Sequence, residues 1–366
     1  MGVIYESYKT LKVFEAFSGY GSQSIALRNL GIPHEVVAIS EIDKYAIQAY
    51  EAIHGPTNNL GDICKIDPKD IPQHDLFTYS FPCQDLSVAG KQAGLGKGTR
   101  SGLLYECEKI IEHCRPKYLL LENVKNLVGK KFKPQFDEWL VYLESLGYTN
   151  YWKVLNAKDY GVPQNRERVF VVSILGEHEP FEWPTPIPLE KCIADILEDE
   201  VDEKYYLSDE LADRFKQSIK KDKYPFGKEY KVIGTTVENE EEKGTNSRGW
   251  VYDINDCIST LTATDYKQPK QICEQHSDEG LRFFKDNICG TIRTINSGGD
   301  KRVIEEGFKI RKLTPRECFR LMGMRDNDID KIQAAGISNT QQYKMAGNSI
   351  VINVLEGIFK NLFKGE

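Results

Sequence analysis

A chain of 366 residues, 40% apolar and 28% charged, has the composition of an ordinary globule and is long enough for a large α/β domain plus a smaller one. Its net charge of −7 argues mildly against nucleic acid, and its apolar stretches are too short for a membrane span. Its nine cysteines, none in Cys-x-x-Cys spacing, read as reduced thiols, which excludes a disulfide scaffold and a zinc site.

Residues 1–7 lack a basic stretch followed by an apolar one, so no signal peptide is expected and the expected location is the cytoplasm. Residues 12–16 read as a short apolar strand. Gly19 and Gly21 lead from it into residues 24–30, apolar at helical spacing, and Gly31 closes that helix. Residues 36–40 form a second strand ending at Glu41, and a helix follows through Tyr50. Gly61, Asp62 and Ile63 stand where a third strand is expected. Residues 76–81 are apolar and aromatic enough for a buried strand, which Pro82 stops abruptly. Cys83 is thereby presented at a strand's end, where open α/β sheets hold their ligands. Alone, such a cysteine reads more often as a half-buried structural thiol. Residues 85–102 carry five glycines with Lys91, Lys97 and Arg100, a composition that suits a closing lid as well as a surface loop.

A helical segment over 103–113 precedes the buried strand 118–121, which has Glu122 at its carboxyl edge, and 168–174 is a further strand. Strands alternating with helices imply an α/β fold: a Rossmann-like, mostly parallel sheet with helices on both faces. The alternation ends at the proline-rich stretch 181–188, a stiff boundary. Residues 189–335 are polar, strand-poor and interrupted by glycine, and read as a separate smaller domain. Residues 348–363 return to a helix with Ile350, Val354, Ile358 and Leu362 on its apolar face. Packed back on the first domain, that helix makes the large domain discontinuous, 1–188 with 336–366.

Charge is unevenly spread along the smaller domain. Acids crowd 195–213, whereas 281–320 carries ten Lys and Arg against five acids, so a local basic face can still meet phosphates. A faint echo relates 255–263 to 286–294, which reads equally as a duplication or as two polar hairpins.

The glycine pair supplies positive φ and close backbone approach for a nucleotide-type ligand, although most such pairs are plain turns. Glu41, about 20 residues on at the end of the next strand, is where Rossmann-like folds bind ribose hydroxyls. Ser24 stands where a dinucleotide turn has its third glycine, which disfavours a dinucleotide.

Six blocks then occur in order: Phe-Ser-Gly-Tyr-Gly at 17–21, Pro82-Cys83-Gln84, Glu122-Asn123-Val124, Gln-Asn-Arg-Glu-Arg at 164–168, and the stretches 311–323 and 342–349. Together they resemble the cytosine-C5 DNA methyltransferases of bacterial or phage type, across most of the chain. The resemblance implies S-adenosyl-L-methionine as methyl donor, with S-adenosyl-L-homocysteine as product. It implies a donor site of Phe17, Ser18, Gly19, Gly21, Glu41, Asp62, Ile63, Pro82, Leu104, Asn348 and Ser349. In it Phe17 packs on the adenine, Glu41 holds the ribose, Asp62 accepts from the adenine amine and Ile63 flanks the ring.

The catalytic group implied is Cys83 as nucleophile, Glu122 as acid, and Arg166 and Arg168 orienting Glu122 and the base carbonyl. Core packing for Phe17 and Ile63, a capping carboxylate for Glu122 and surface ion pairing for the arginines are the plainer readings. Double-stranded DNA is the implied partner, contacted by Gln84, Ser87, Lys91 and Arg100 beside the nucleophile. Thr260, Thr291, Arg293 and Arg302 contact it from an irregular, β-rich target-recognition domain at 189–335. A separate restriction endonuclease, a monomeric state and no metal complete the expectation. An RNA (tRNA) cytosine methyltransferase and a catalytically inactive DNA-binding regulator are the alternatives; the long insert before 336 speaks against the first, and the presence of Cys83, Glu122 and Glu41 against the second.

Overall fold

A computed structural model of the chain describes residues 10–82, 103–208, 210, 232–235, 250–254, 256–267, 269–274 and 309–363. The main sheet has six strands: β1 (Leu11–Ala16), β2 (His34–Ser40), β3 (Leu76–Tyr79), β4 (Tyr118–Val124), β5 (Tyr148–Asn156) and β7 (Glu167–Leu175). Their order is β2-β1-β3-β4-β7-β5. The first four are parallel, and β7 runs antiparallel to both of its neighbours.

Residues alternate across this sheet. Val13, Leu120 and Phe170 face one apolar cluster, while Phe14, Leu119 and Val171 face the other. Helix α1 (Ser22–Asn29) covers the first face, α3 (Leu104–Cys114) and α4 (Lys133–Ser145) the second; α2 (Lys44–His54) follows β2. The fully buried strand residues of β3 and the 118–121 part of β4 explain why those strands read as continuous apolar runs.

Two expectations need correction here. Gly61, Asp62 and Ile63 are not in a strand: only Asn59 bridges to Ile39, and Asp62 caps a 3-10 turn, Ile63–Lys65, by accepting from the Cys64 amide at 3.1 Å. The helix expected over 348–363 starts only at Ile352: α8 (Ile352–Leu362) is separated by a break over 349–351 from a preceding helix, α7 (Asn339–Asn348), which ends at Asn348. The α8 face of Ile352, Leu355, Ile358 and Phe359 is fully buried in the first cluster, against α1.

The stretch read as strand-poor contains five strands among the described residues, each of two to four residues. Four of them make a sheet in the order β12-β11-β9-β8: β8 (Val232–Thr235), β9 (Trp250–Tyr252), β11 (Gln271–Glu274) and β12 (Lys309–Lys312). The fifth, β10 (Ile258–Ser259), pairs with β6 (Gln164–Asn165), so the segment before β7 is itself the seam between the two parts of the chain. Strands this short have no run long enough to display alternation.

Helix α5 (Pro315–Arg320) starts with a capping box in which Thr314 and Glu317 satisfy each other's backbone donors. The same Glu317 receives a two-pronged ion pair from the fully buried Arg311, at 2.7 and 2.8 Å. Helix α6 (Asp326–Ala334) packs on α2, and its Asp328 pairs with Arg28 of α1.

Candidate active site

The carboxyl ends of β1 to β4 converge on a cavity of about 350 Å³, of a size that holds small-molecule cofactors. Each wall has a local cause. Phe17 turns the chain out of β1 with φ of 56°, a conformation rarely adopted by a bulky residue, and its amide donates to Ser40 O at 2.8 Å. Glu41 then fastens the glycine turn to the end of β2. Its Oε2 accepts from the Gly19 amide at 2.9 Å, and its Oε1 from the amides of Ile42 and Asp43 at 2.8 and 2.9 Å.

Of the eleven residues expected around a donor, nine line the cavity: Phe17, Ser18, Gly19, Glu41, Asp62, Ile63, Pro82, Asn348 and Ser349. Leu104 and Gly21 do not. Leu104 turns into the second apolar cluster, and Leu103 lines the cavity in its stead. Gly21 has φ of 82°, and a Cβ there would lie 2.5 Å from His54 Nε2 and 2.6 Å from the Tyr50 ring. Glycine at 21 serves its positive φ and the close packing of α2.

Glu122, Arg166 and Arg168 line the same cavity. Register explains the carboxylate: β3 pairs with β4 only as far as Tyr79 opposite Leu121, so Glu122 is the first residue beyond that ladder. It is 8% exposed. Burial pushes its carboxyl above the ordinary value, although Arg168, Arg166 and a hydrogen bond with Ser80 pull the other way. Arg168 reaches it directly, Nε to Oε1 at 3.2 Å. The neighbouring Asn123 donates to Phe81 O at 3.0 Å and so pins the chain just before Cys83.

Arg166 makes contacts beyond the expected one. Its guanidinium donates to the carbonyls of Leu261 at 2.8 Å, Gly347 at 3.1 Å and Ser349 at 2.7 Å, and its charge pulls the Glu122 carboxyl down. Thr260, expected against the DNA, donates its one hydroxyl proton to Asn165 O at 2.7 Å, so a phosphate oxygen there would need another donor. Cys83, Gln84, Ser87, Lys91, Arg100, Thr291, Arg293 and Arg302 lie outside the described residues.

Sequence reasoning named Ser349 but not its partner Tyr20, nor the pairing of Lys344 with Asp43. Tyr20 donates to Ser349 Oγ at 2.7 Å, and Lys344 on α7 pairs with Asp43 at 3.1 Å, all four lining the cavity. No local signal marks such pairs, whose partners are some 300 positions apart. Among the described residues there is no group of three or more His, Cys, Asp or Glu able to hold a metal ion, and no helix long and apolar enough to cross a membrane.

Comparison with known proteins bears on this site. The C-5 cytosine-specific DNA methylase family matches residues 11–364. The chain is 40% identical to the Type II methyltransferase M2.ScrFI of Lactococcus lactis subsp. cremoris, over 97% of this chain and 100% of that protein. It is 33% identical to the Orphan methyltransferase M.SPBetaI of Bacillus phage SPbeta, over 96% of this chain and 97% of that one. Among solved structures, the S. pombe Dnmt2 methyltransferase superposes with a TM-score of 0.66 at 18% identity, covering 97% of this chain and 98% of its own, a likeness of fold alone.

Proposed function

This chain belongs to the C-5 cytosine-specific DNA methylases, and from that premise we propose that it methylates C5 of a cytosine within a short recognition sequence of double-stranded DNA. The observation that carries the reading is one shared cavity. A buried carboxyl with a raised pKa, tethered by Arg168, faces the same space as Glu41, Asp62, Phe17 and Pro82, the residue before Cys83.

The donor set fits S-adenosyl-L-methionine. Two carboxylates, Glu41 and Asp62, suit ribose hydroxyls and an adenine amine, and Phe17 and Ile63 suit the faces of a flat ring. When bound, that group supplies an electrophilic methyl on a sulfonium. Cytosine C5 is too weak a nucleophile to take it unaided. In this reading the Cys83 thiolate adds to C6 and moves electron density onto C5. Glu122, whose carboxyl burial pushes toward the protonated form, donates to N3 and offsets the negative charge of that attack. Arg168 keeps the carboxyl in place. Afterwards the C5 proton passes to water, the electron pair of the C5–H bond forms the C5–C6 double bond, the C6–S pair leaves with Cys83 as its thiolate, and N3 returns its proton to Glu122.

A cytosine stacked in a duplex cannot reach this cavity, so the base is extruded, at a cost of a few kcal/mol. Gln84, Ser87, Lys91 and Arg100 meet the DNA beside the cavity. Within 189–335, Thr291, Arg293 and Arg302 serve target reading, and Thr260 orders the seam with Asn165. The chain acts as a cytoplasmic monomer. A separate endonuclease is its partner if it works as the type II relative's name implies, and none is needed if it works as the orphan's does.

The test is direct: bisulfite sequencing of DNA from cells expressing the chain, and in vitro methylation of duplex DNA against tRNA with the labelled donor. Conversion-resistant cytosines in one sequence context are expected. Label in tRNA and none in duplex DNA would overturn the substrate.

A further inference from the structure

Between β6 and β7 the chain makes an unusual use of one buried cation. Arg166 is 3% exposed, and its guanidinium meets carbonyls from two remote stretches: Leu261, 95 positions away, and Gly347 and Ser349, 181 and 183 positions away. Its own amide is held by Asn156 Oδ1 at 3.0 Å. Gln164 repeats the pattern, accepting from the Leu261 amide at 3.1 Å and donating to Leu321 O at 2.7 Å.

The two stretches also meet directly. A Cβ on Gly347 would lie 2.2 Å from the carbonyl carbon of Thr262 and 2.4 Å from the Ala263 amide nitrogen, so their backbones touch with no space for a methyl group. Ser349 and Asn348 are cavity wall, and residues 260–263 continue from the β10 strand of the seam.

We propose that Arg166 is a positioning residue that ties residues 260–263 to the Asn348 and Ser349 wall of the cavity, so that donor and duplex each strengthen the other's binding. The identities of the two ligands rest on the functional reading above. The physical argument is linkage. A ligand that fixes the cavity wall fixes Leu261 through a rigid, permanently charged fork, and the ordering cost is then already met for the second ligand. Lysine keeps the charge but carries it on one nitrogen, which cannot serve the Leu261 carbonyl and the pair at 347 and 349 in the same planar geometry.

The experiment measures the affinity of the full chain for S-adenosyl-L-homocysteine by calorimetry, alone and with unmethylated plasmid DNA. Wild type is expected to bind at least fivefold more tightly with DNA, the lower end of typical couplings. Arg166→Lys should bring that ratio to within twofold of one, raise KM for both substrates, and leave the pH profile of kcat in place. Gly347→Ala disturbs the same joint from the other side and should lower the ratio, with little added in the double variant; it also carries the test if Arg166→Lys does not fold. A wild-type ratio of one, or a ratio unchanged in the variants, overturns the proposal, as does a shifted pH profile, which would return Arg166 to Glu122. A wild type that binds neither ligand overturns the functional reading, and this proposal with it.

Discussion

Glu15 offers a sharp physical test of how this site is built. It sits in β1 with no exposure, accepting from Ser24 Oγ of α1 and Tyr50 OH of α2, each at 2.8 Å. Burial raises its carboxyl from 4.5 to about 7, against the pull of those two hydroxyls. The unfolded chain therefore loses this proton near pH 4.5 and the folded chain only near 7. In that window the native state holds more protons than the unfolded one, so stability falls as pH rises. At about 1.4 kcal/mol per pH unit, the interval from 4.5 to about 7 amounts to about 3 kcal/mol, complete below it and gone above it. Glu15→Gln is neutral throughout and keeps an acceptor for one hydroxyl. Urea denaturation of both proteins from pH 5 to 8 should show the variant gaining on the wild type up to neutrality and running parallel beyond it. Parallel curves over the whole range would refute a neutral, buried carboxyl under the glycine turn.

Four further outcomes follow from the site. Cys83→Ser should abolish methyl transfer while leaving donor affinity nearly intact, and only wild type should form a covalent adduct with DNA containing 5-fluorocytosine; activity within tenfold of wild type would defeat the nucleophile assignment. Glu122→Gln should lower turnover by roughly 10² to 10⁴. Because burial raises the Glu122 pKa, wild-type rate should decline as pH rises through it, and a variant that retained this limb would assign it elsewhere. Glu41→Ala removes the acceptor of three backbone amides as well as the proposed ribose contact, so donor affinity measured by calorimetry should drop more than tenfold. Thr260→Ala loses the bond to Asn165 and should weaken binding to all DNA sequences about equally, whereas Thr260→Ser, which keeps the donor, should not; a change confined to one sequence in a randomised duplex library would make Thr260 a base reader.

What the sequence determined by itself was everything whose cause is local. The burial of β3 and β4, the turn after β1 and the stop at Pro82 follow from residues within a few positions of each other, so Phe17, Glu41 and Glu122 could be assigned to strand ends that do converge on one cavity. β5 escaped notice because it is an edge strand with half-exposed Asn150, Tyr151 and Val154 in place of an apolar run. The remainder was decided by tertiary structure. Gly21 and Gly347 look like ordinary turn or helix glycines until α2 and residues 262–263 are packed against them. That Arg166 also serves three distant carbonyls is visible only once these are brought within hydrogen-bond reach. The Lys344 to Asp43 and Tyr20 to Ser349 contacts exist only because α8 docks on α1 and carries the end of α7 onto the first glycine turn. Backbone preference and hydrophobic period act over a turn or a strand, whereas the partner of a buried polar group is fixed by which surfaces the completed core presses together.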